Sequence, residues 1–371
     1  MKHRLLFGFT ALIVLSMVLS ACGTPATQAP AATTAPVATT APVATTAPAA
    51  TTAPAATTAP AGPLTFVLVP KNLGNPYFDT ANDGAQEAAK ELGVTVLYQG
   101  PAAADATQQI QLINSLIAQN VNGLAISADD SDALVPTGKD AMAAGIPVVS
   151  WDSAIGKDGR VLHVNQAVLH DIGAIEIKMA QDLTGPDGGQ IAILSATSTA
   201  PNQNAWIEVM KEELKKPEYS KLQLVDVVYG DDDDTKSYNE ALGLFTKHPN
   251  LKVIIAPTTV GIAASARAVT DKGLIGKVNV TGLGTPNQMR EYVKNGASPE
   301  FALWNPSDLG YLSIYVLNAL ATGQIKGVAG DKFTAGKLGD YTITDDPDLG
   351  LNVLLGLPYI YNKDNIDNFN W

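Results

Sequence analysis

From Thr65 onward, short uninterrupted apolar runs alternate with longer stretches whose apolar positions recur every three or four residues. Thr65-Phe66-Val67-Leu68-Val69 is β-branched and apolar and stops at Pro70, which predicts a strand. Behind it, Phe78, Ala81, Ala85, Ala88 and Leu92 share one face of a helix that Gly93 ends. Further strands are predicted over residues 94–98, 123–127, 147–150 and 161–164, and a helix over 108–119 with Ile110, Ile113 and Ile117 on one face. A second series of strands covers 191–194, 224–228, 253–256, 278–281 and 301–303. Helices carrying Trp206, Met210 and Leu214, or Ala263, Ala264 and Val269, lie between them. Strands buried on both faces by flanking helices are continuously apolar, as these are. The pattern predicts two consecutive doubly wound α/β units.

The first 62 residues follow neither rule. Lys2, His3 and Arg4 precede an uncharged apolar run over residues 5–19, and Leu19-Ser20-Ala21-Cys22 follows. This is the layout of a secretory leader, and it is shorter than the ~20 residues a membrane-crossing helix needs. The tetrad resembles the lipobox of bacterial lipoproteins. That resemblance implies cleavage after residue 21 and acylation of Cys22, the only cysteine in the chain. Residues 32–61 then repeat an Ala-Thr-Thr-Ala-Pro-Val/Ala hexad five times, with no charge and no aromatic ring. Regular proline blocks helix, and nothing in the repeat is large enough to bury. Residues 22–62 are therefore expected to form the lipidated start and an extended tether. At roughly 3.1 Å per residue it would reach about 100 Å from the membrane.

Loss of the leader takes Lys2 and Arg4 and no acid, leaving 22 basic against 36 acidic residues, a formal charge of −14. So acidic a product is a poor partner for nucleic acid or anionic lipid headgroups. The chain has no P-loop, no HExxH and no GxSxG. Gly282-Leu283-Gly284 begins like a dinucleotide turn but continues Thr-Pro-Asn. The run from Asp231 to Asp234 lacks the spaced acids, central glycine and terminal glutamate of a calcium loop. It reads as a solvated loop in which Asp234 caps the next helix. His163, His170 and His248 have no metal-ligand spacing. No metal, cofactor or enzymatic activity is expected.

Ligands of doubly wound sheets bind beyond the C-terminal strand ends. Here those ends carry Lys71, Ser127 with Asp129 and Asp130, Trp151-Asp152-Ser153, Asn165-Gln166, Asn202-Gln203-Asn204, Pro257-Thr258-Thr259, Gly284-Thr285 and Trp304-Asn305. Amides and carboxylates pair with vicinal hydroxyls, which both donate and accept, and indoles pack on a sugar's C–H face. Singly, Asp, Asn and Ser are as well explained as helix caps.

At these residues the chain resembles the type I, ribose-binding-like periplasmic sugar-binding proteins of ABC importers, nearest the rhamnose-binding and autoinducer-2-binding branch. The resemblance rests on Val69-Pro70-Lys71, Gly84-Ala85-Gln86 with Lys90-Glu91-Leu92-Gly93-Val94, Gln111-Leu112-Ile113-Asn114 and Trp151-Asp152-Ser153. It continues through Asn202-Gln203-Asn204-Ala205-Trp206, Ile255-Ala256-Pro257, Thr285-Pro286-Asn287 with Met289-Arg290, and Leu303-Trp304. It implies two Rossmann-like lobes joined by three crossovers near residues 165–167, 304–306 and 332–337. The lobes would comprise residues 63–165 plus 305–334 and residues 166–304 plus 335–371. The same resemblance implies ligand contacts at Lys71, Asp152, Gln203 and the carbonyl of Pro257; Phe78, Gln166 and Trp304 are further candidate contacts.

Two positions depart from the autoinducer-2 pattern: Asn202 replaces a carboxylate and Thr259 a small alanine. An amide exchanges two acceptor oxygens for one acceptor and two donors, and the extra hydroxyl and methyl shrink the cavity. Both changes favour rhamnose or a related deoxyhexose, with autoinducer-2 as the alternative. Gly284 stands where the broader family often has a ligand-clamping aspartate, which argues against ribose. The expected protein is an exported, lipid-anchored monomer on the outer face of the cytoplasmic membrane. It would close two lobes on a sugar and pass it to an ABC permease, or present it to a chemoreceptor or sensor kinase.

Overall fold

The computed structural model describes residues 62–371; the leader, Cys22 and the Thr/Pro repeats lie outside the described residues. β1 (Thr65–Val69) leads into α1 (Pro76–Leu92), whose start is set by Asn75 and Pro76. The Asn75 side chain accepts from the Tyr77 N–H, and Pro76 occupies a first-turn position that needs no donor. Gly93 ends the helix in the left-handed region at φ 68°, where a side chain would be strained. The first lobe continues through β2 (Thr95–Tyr98), α2 (Ala106–Ala118), β3 (Gly123–Ile126), α3 (Val135–Ala143), β4 (Val148–Trp151) and β5 (Leu162–Asn165).

The chain then crosses into α4 (Leu169–Thr184), β6 (Gly189–Ser195), α5 (Pro201–Glu213), β7 (Leu222–Tyr229), α6 (Asp234–Lys247), β8 (Leu251–Ala256), α7 (Thr259–Asp271), β9 (Asn279–Gly282), α8 (Pro286–Asn295) and β10 (Glu300–Leu303). It returns to the first lobe as α9 (Pro306–Ala321), followed by β11 (Lys332–Thr334), β12 (Asp340–Thr342), β13 (Thr344–Asp346) and β14 (Gly350–Leu354). β15 (Tyr359–Asn362) pairs antiparallel with β10 and so lies in the second lobe.

The first sheet has the order β13-β14-β5-β4-β3-β1-β2 and the second β7-β6-β8-β9. A parallel bridge from Leu283 to Ala302 brings β10 beside β9. In each sheet the first strand has later strands on both sides, so strand order reverses at β1 and at β6, the crevices where such sheets bind ligands. The two-lobe α/β expectation therefore holds.

The third crossover does not fall where it was expected. β14 pairs in parallel with β5, with Asn352 opposite His163, so β13 and β14, over residues 344–354, belong to the first sheet. The buried Arg160 guanidinium donates to the carbonyls of Leu349 and Leu351 and fastens this strap to the edge of β5. The chain leaves only after Leu354. There the Leu355 and Gly356 N–H groups bond the Asn165 and Gln166 carbonyls, laying the last crossing against the first.

α9 packs on α1 through two glycines. A Cβ on Gly310 would lie 1.9 Å from the Ala81 carbonyl oxygen, and one on Gly84 would lie 1.8 Å from that of Ser307. Backbone cannot yield as a flexible side chain does. Gly310→Ala should therefore destabilise the protein by about 1–3 kcal/mol, the usual cost of overpacking, read as a lower midpoint in thermal or urea unfolding.

Candidate ligand-binding site

The first apolar strand delivers Lys71 to the crevice, where it is 2% exposed. Its Nζ donates to Gln203 Oε1 at 3.1 Å and Asn202 Oδ1 at 3.4 Å, both on the first turn of α5 in the other lobe. Asp152 follows β4 in the left-handed region at φ 58°, which aspartate tolerates better than most residues. Its carboxylate accepts from Ser127 Oγ (2.8 Å), Tyr77 OH (3.0 Å) and Asn202 Nδ2 (3.4 Å). Burial pushes the Asp152 carboxyl above its ordinary value, while the Lys71 charge and the Ser127 and Tyr77 bonds pull it back.

Trp304 Nε1 donates to Tyr77 OH at 2.9 Å, and Thr259 Oγ1 donates to Asn75 Oδ1 at 3.2 Å. Burial, reinforced by the Asp152 charge, holds the Tyr77 phenol well above its usual range, so it remains a donor. Aromatic rings wall this network: Trp304 meets Tyr77 at 6.1 Å and Trp206 at 6.0 Å, both edge-on. Hydrogen-bonding groups of both lobes thus converge on one point in a closed arrangement.

Lys71, Phe78, Asp152, Gln203, Pro257, Thr259 and Trp304 line one cavity of about 30 Å³. That is room for about one water molecule, so a sugar ring must displace bonds the lobes now make to each other. Asn202 is held to this cavity through Lys71 and Asp152. Gln166 is not among its walls and faces a neighbouring cavity of about 280 Å³ together with Asn202.

The first cavity also draws on Thr258, already marked at its strand end, and on Asn75, Tyr77, Trp206 and Asp232, which were not anticipated as contacts. Asn75-Pro76-Tyr77 was findable, since an N-cap asparagine and a helix-starting proline directly follow the first strand end. Asp232 was not, because the acidic run gave no sign of which member turns inward. The helix cap there is Asp233, which accepts from the Lys236 N–H, and not Asp234. Asp232 is buried and accepts from Thr258 Oγ1. Among the described residues no group of three or more His, Cys, Asp or Glu is placed to hold a metal. Among the same residues no helix is long and apolar enough to cross a membrane.

Asp129, just past β3, is 1% exposed, and neither carboxyl oxygen has a hydrogen-bond partner among the described residues. Burial pushes it up to about 8; Lys71 opposes this, and Asp232 from the other lobe adds to it. Its unfolded carboxyl ionises near 3.8. The native state therefore binds the extra proton between those values, and this group's contribution makes stability fall as pH rises from about 4 to about 8, then level off. Asp129→Asn should accordingly gain about 1–3 kcal/mol at pH 8, the scale of a buried unsatisfied polar group, and nothing near pH 4. Urea unfolding at both pH values reads the difference.

With this geometry in view, relatives are informative. A family model described as a periplasmic binding protein domain matches residues 66–325. The chain belongs to this family. An ABC transporter solute-binding protein from Clostridium phytofermentas, solved with bound L-rhamnose, is 40% identical with a TM-score of 0.80, the match covering 82% of this chain and 98% of that one. LsrB from Clostridium saccharobutylicum in complex with AI-2 is 27% identical at TM-score 0.79, covering 83% and 100%. The D-allose-binding periplasmic protein of Escherichia coli (strain K12) is 29% identical over 252 residues, 66% of this chain and 80% of its own. The periplasmic binding protein described here thus stands among the sugar-binding solute-binding proteins of ABC transporters, exported proteins that bind without converting their ligand.

Proposed function

We propose that this protein captures rhamnose or a closely related deoxyhexose between its lobes and presents it to an ABC permease. The observation that carries the reading is the network in which Lys71 reaches Asn202 and Gln203 while Asp152 gathers Tyr77, Ser127 and Asn202. Each of these bonds can be exchanged for one to a ring hydroxyl, which donates and accepts in turn. A ligand touching both lobes stabilises the closed form over the open one by its extra contacts, and this differential affinity drives the closure. The amide at 202 and the hydroxyl at 259, together with the L-rhamnose-bound relative, support a deoxyhexose.

Autoinducer-2 is the second reading, favoured by a TM-score to the AI-2 complex nearly equal to that of the rhamnose complex. Cys22 is proposed as the acylated residue and residues 22–62 as the tether that holds a monomeric binding domain near its permease. A thermal-shift panel of monosaccharides tests the ligand class, because only the native state holds the sugar. L-Rhamnose should raise the melting temperature saturably while ribose leaves it unchanged. A shift with ribose and none with any deoxyhexose would refute the assignment.

A further inference from the structure

The cavity that Gln166 faces adjoins the proposed monosaccharide site and shares Asp152 and Trp206 with it. At about 280 Å³ it is close to the ~300 Å³ lower bound of ordinary ligand pockets. Both lobes build it: Ile155, His163 and Gln166 come from the first lobe and first crossover, and Pro201, Asn202 and Ala205 from the second lobe. It is therefore assembled by the same closure. The Asp152–Asn202 and Lys71–Asn202 contacts, both long at 3.4 Å, join walls of the two spaces.

The walls indicate what fits. Gln166 is 2% exposed, and its Oε1 accepts no hydrogen bond among the described residues. Such an acceptor costs about 1–3 kcal/mol unless something donates to it. Arg160 also borders the space, but its guanidinium already donates to the carbonyls of Ile155, Leu349 and Leu351, so it offers an anion little. His163 shares a 2.9 Å hydrogen bond with Ser150, and burial holds its pKa well below the usual value, leaving the ring neutral. Ile155, Ala205 and the Trp206 ring add apolar surface. A neutral group with hydroxyl donors and a C–H face suits these walls better than an ion does.

We propose that the second cavity receives a second sugar unit, so that the ligand includes rhamnosides, with the rhamnosyl ring beside Lys71 and its glycosidic partner beside Gln166. The inference rests on the deoxyhexose reading above and extends it from a free monosaccharide to a glycoside. The glycosidic link would pass where the Asp152–Asn202 contact now lies, and a hydroxyl of the second ring would donate to Gln166 Oε1.

Calorimetry of the wild-type protein with L-rhamnose and with an α-linked rhamnosyl disaccharide decides the matter. The disaccharide should bind about tenfold more tightly, the value of one buried acceptor newly satisfied. Ala205→Trp, which fills the second cavity, should remove that advantage while L-rhamnose affinity stays within about threefold, too small a change for a lost hydrogen bond. If the variant does not fold, the wild-type comparison stands alone. Disaccharide binding no tighter than that of L-rhamnose overturns the proposal and leaves the monosaccharide reading intact. Failure of both sugars to bind overturns the two together.

Discussion

Replacing Asp152 by alanine should weaken sugar binding by about 2–4 kcal/mol, roughly a 30- to 1,000-fold rise in Kd, the range for removing one partner of a buried charge-assisted hydrogen bond. Asp152 is the one acceptor shared by Tyr77, Ser127 and Asn202. Without it these donors, and the ligand hydroxyls that would replace some of them, are stranded in a dry site. The variant also places alanine at φ 58°, a strain of about 1–2 kcal/mol, so folding and binding losses must be separated. Asp152→Asn does so. Asparagine accepts the left-handed backbone, so the fold avoids that strain. Binding should still fall, because one acceptor oxygen has become a donor pair. Calorimetry on both variants, with melting curves, checks this; alanine-variant affinity within threefold of wild type would move the site elsewhere.

The double change Asn202→Asp with Thr259→Ala should reverse ligand preference. Asn202 now donates to Asp152 and accepts from Lys71, while Thr259 spends its hydroxyl on Asn75. A carboxylate at 202 would face Asp152 but gain the Lys71 charge, and alanine at 259 would return volume to a cavity of only about 30 Å³. Sites built to pair every hydroxyl reject the wrong ligand by up to about 10⁴-fold, since mismatches leave buried groups unpaired. The expected outcome is tighter autoinducer-2 binding and at least about tenfold weaker rhamnose binding, one hydrogen bond's worth. Titration of both ligands into both proteins gives the four constants. A wild type that prefers autoinducer-2 would make these two residues tolerated variation and promote the second reading.

Much of this architecture was legible because buried parallel strands leave unbroken apolar runs, and the strand ends then locate the crevice without reference to long-range contacts. Lys71, Asp152, Gln203 and Pro257 lie at such strand ends, the family resemblance singled them out there, and the structure brings them together. What could not be read depended on pairing across long sequence distances. β14 joins the first sheet through β5, almost 190 residues earlier in the chain, and its short Leu351-Asn352-Val353 run carries no mark of which lobe it serves. Gln166 sits on a crossover, so a side-chain swing decides between two cavities, and no periodicity governs that. Asp129 and Asp130 looked equivalent in sequence. The Asp129 carboxyl is buried with no hydrogen-bond partner among the described residues, whereas the half-buried Asp130 side chain accepts from the Asp132 and Ala133 N–H groups.

The central claim is that a sugar closes two lobes around Lys71 and Asp152. Small-angle scattering of the protein titrated with L-rhamnose addresses it most directly. The radius of gyration should fall saturably with sugar as the open population is drawn into the closed form. A scattering curve unchanged up to millimolar L-rhamnose would contradict it.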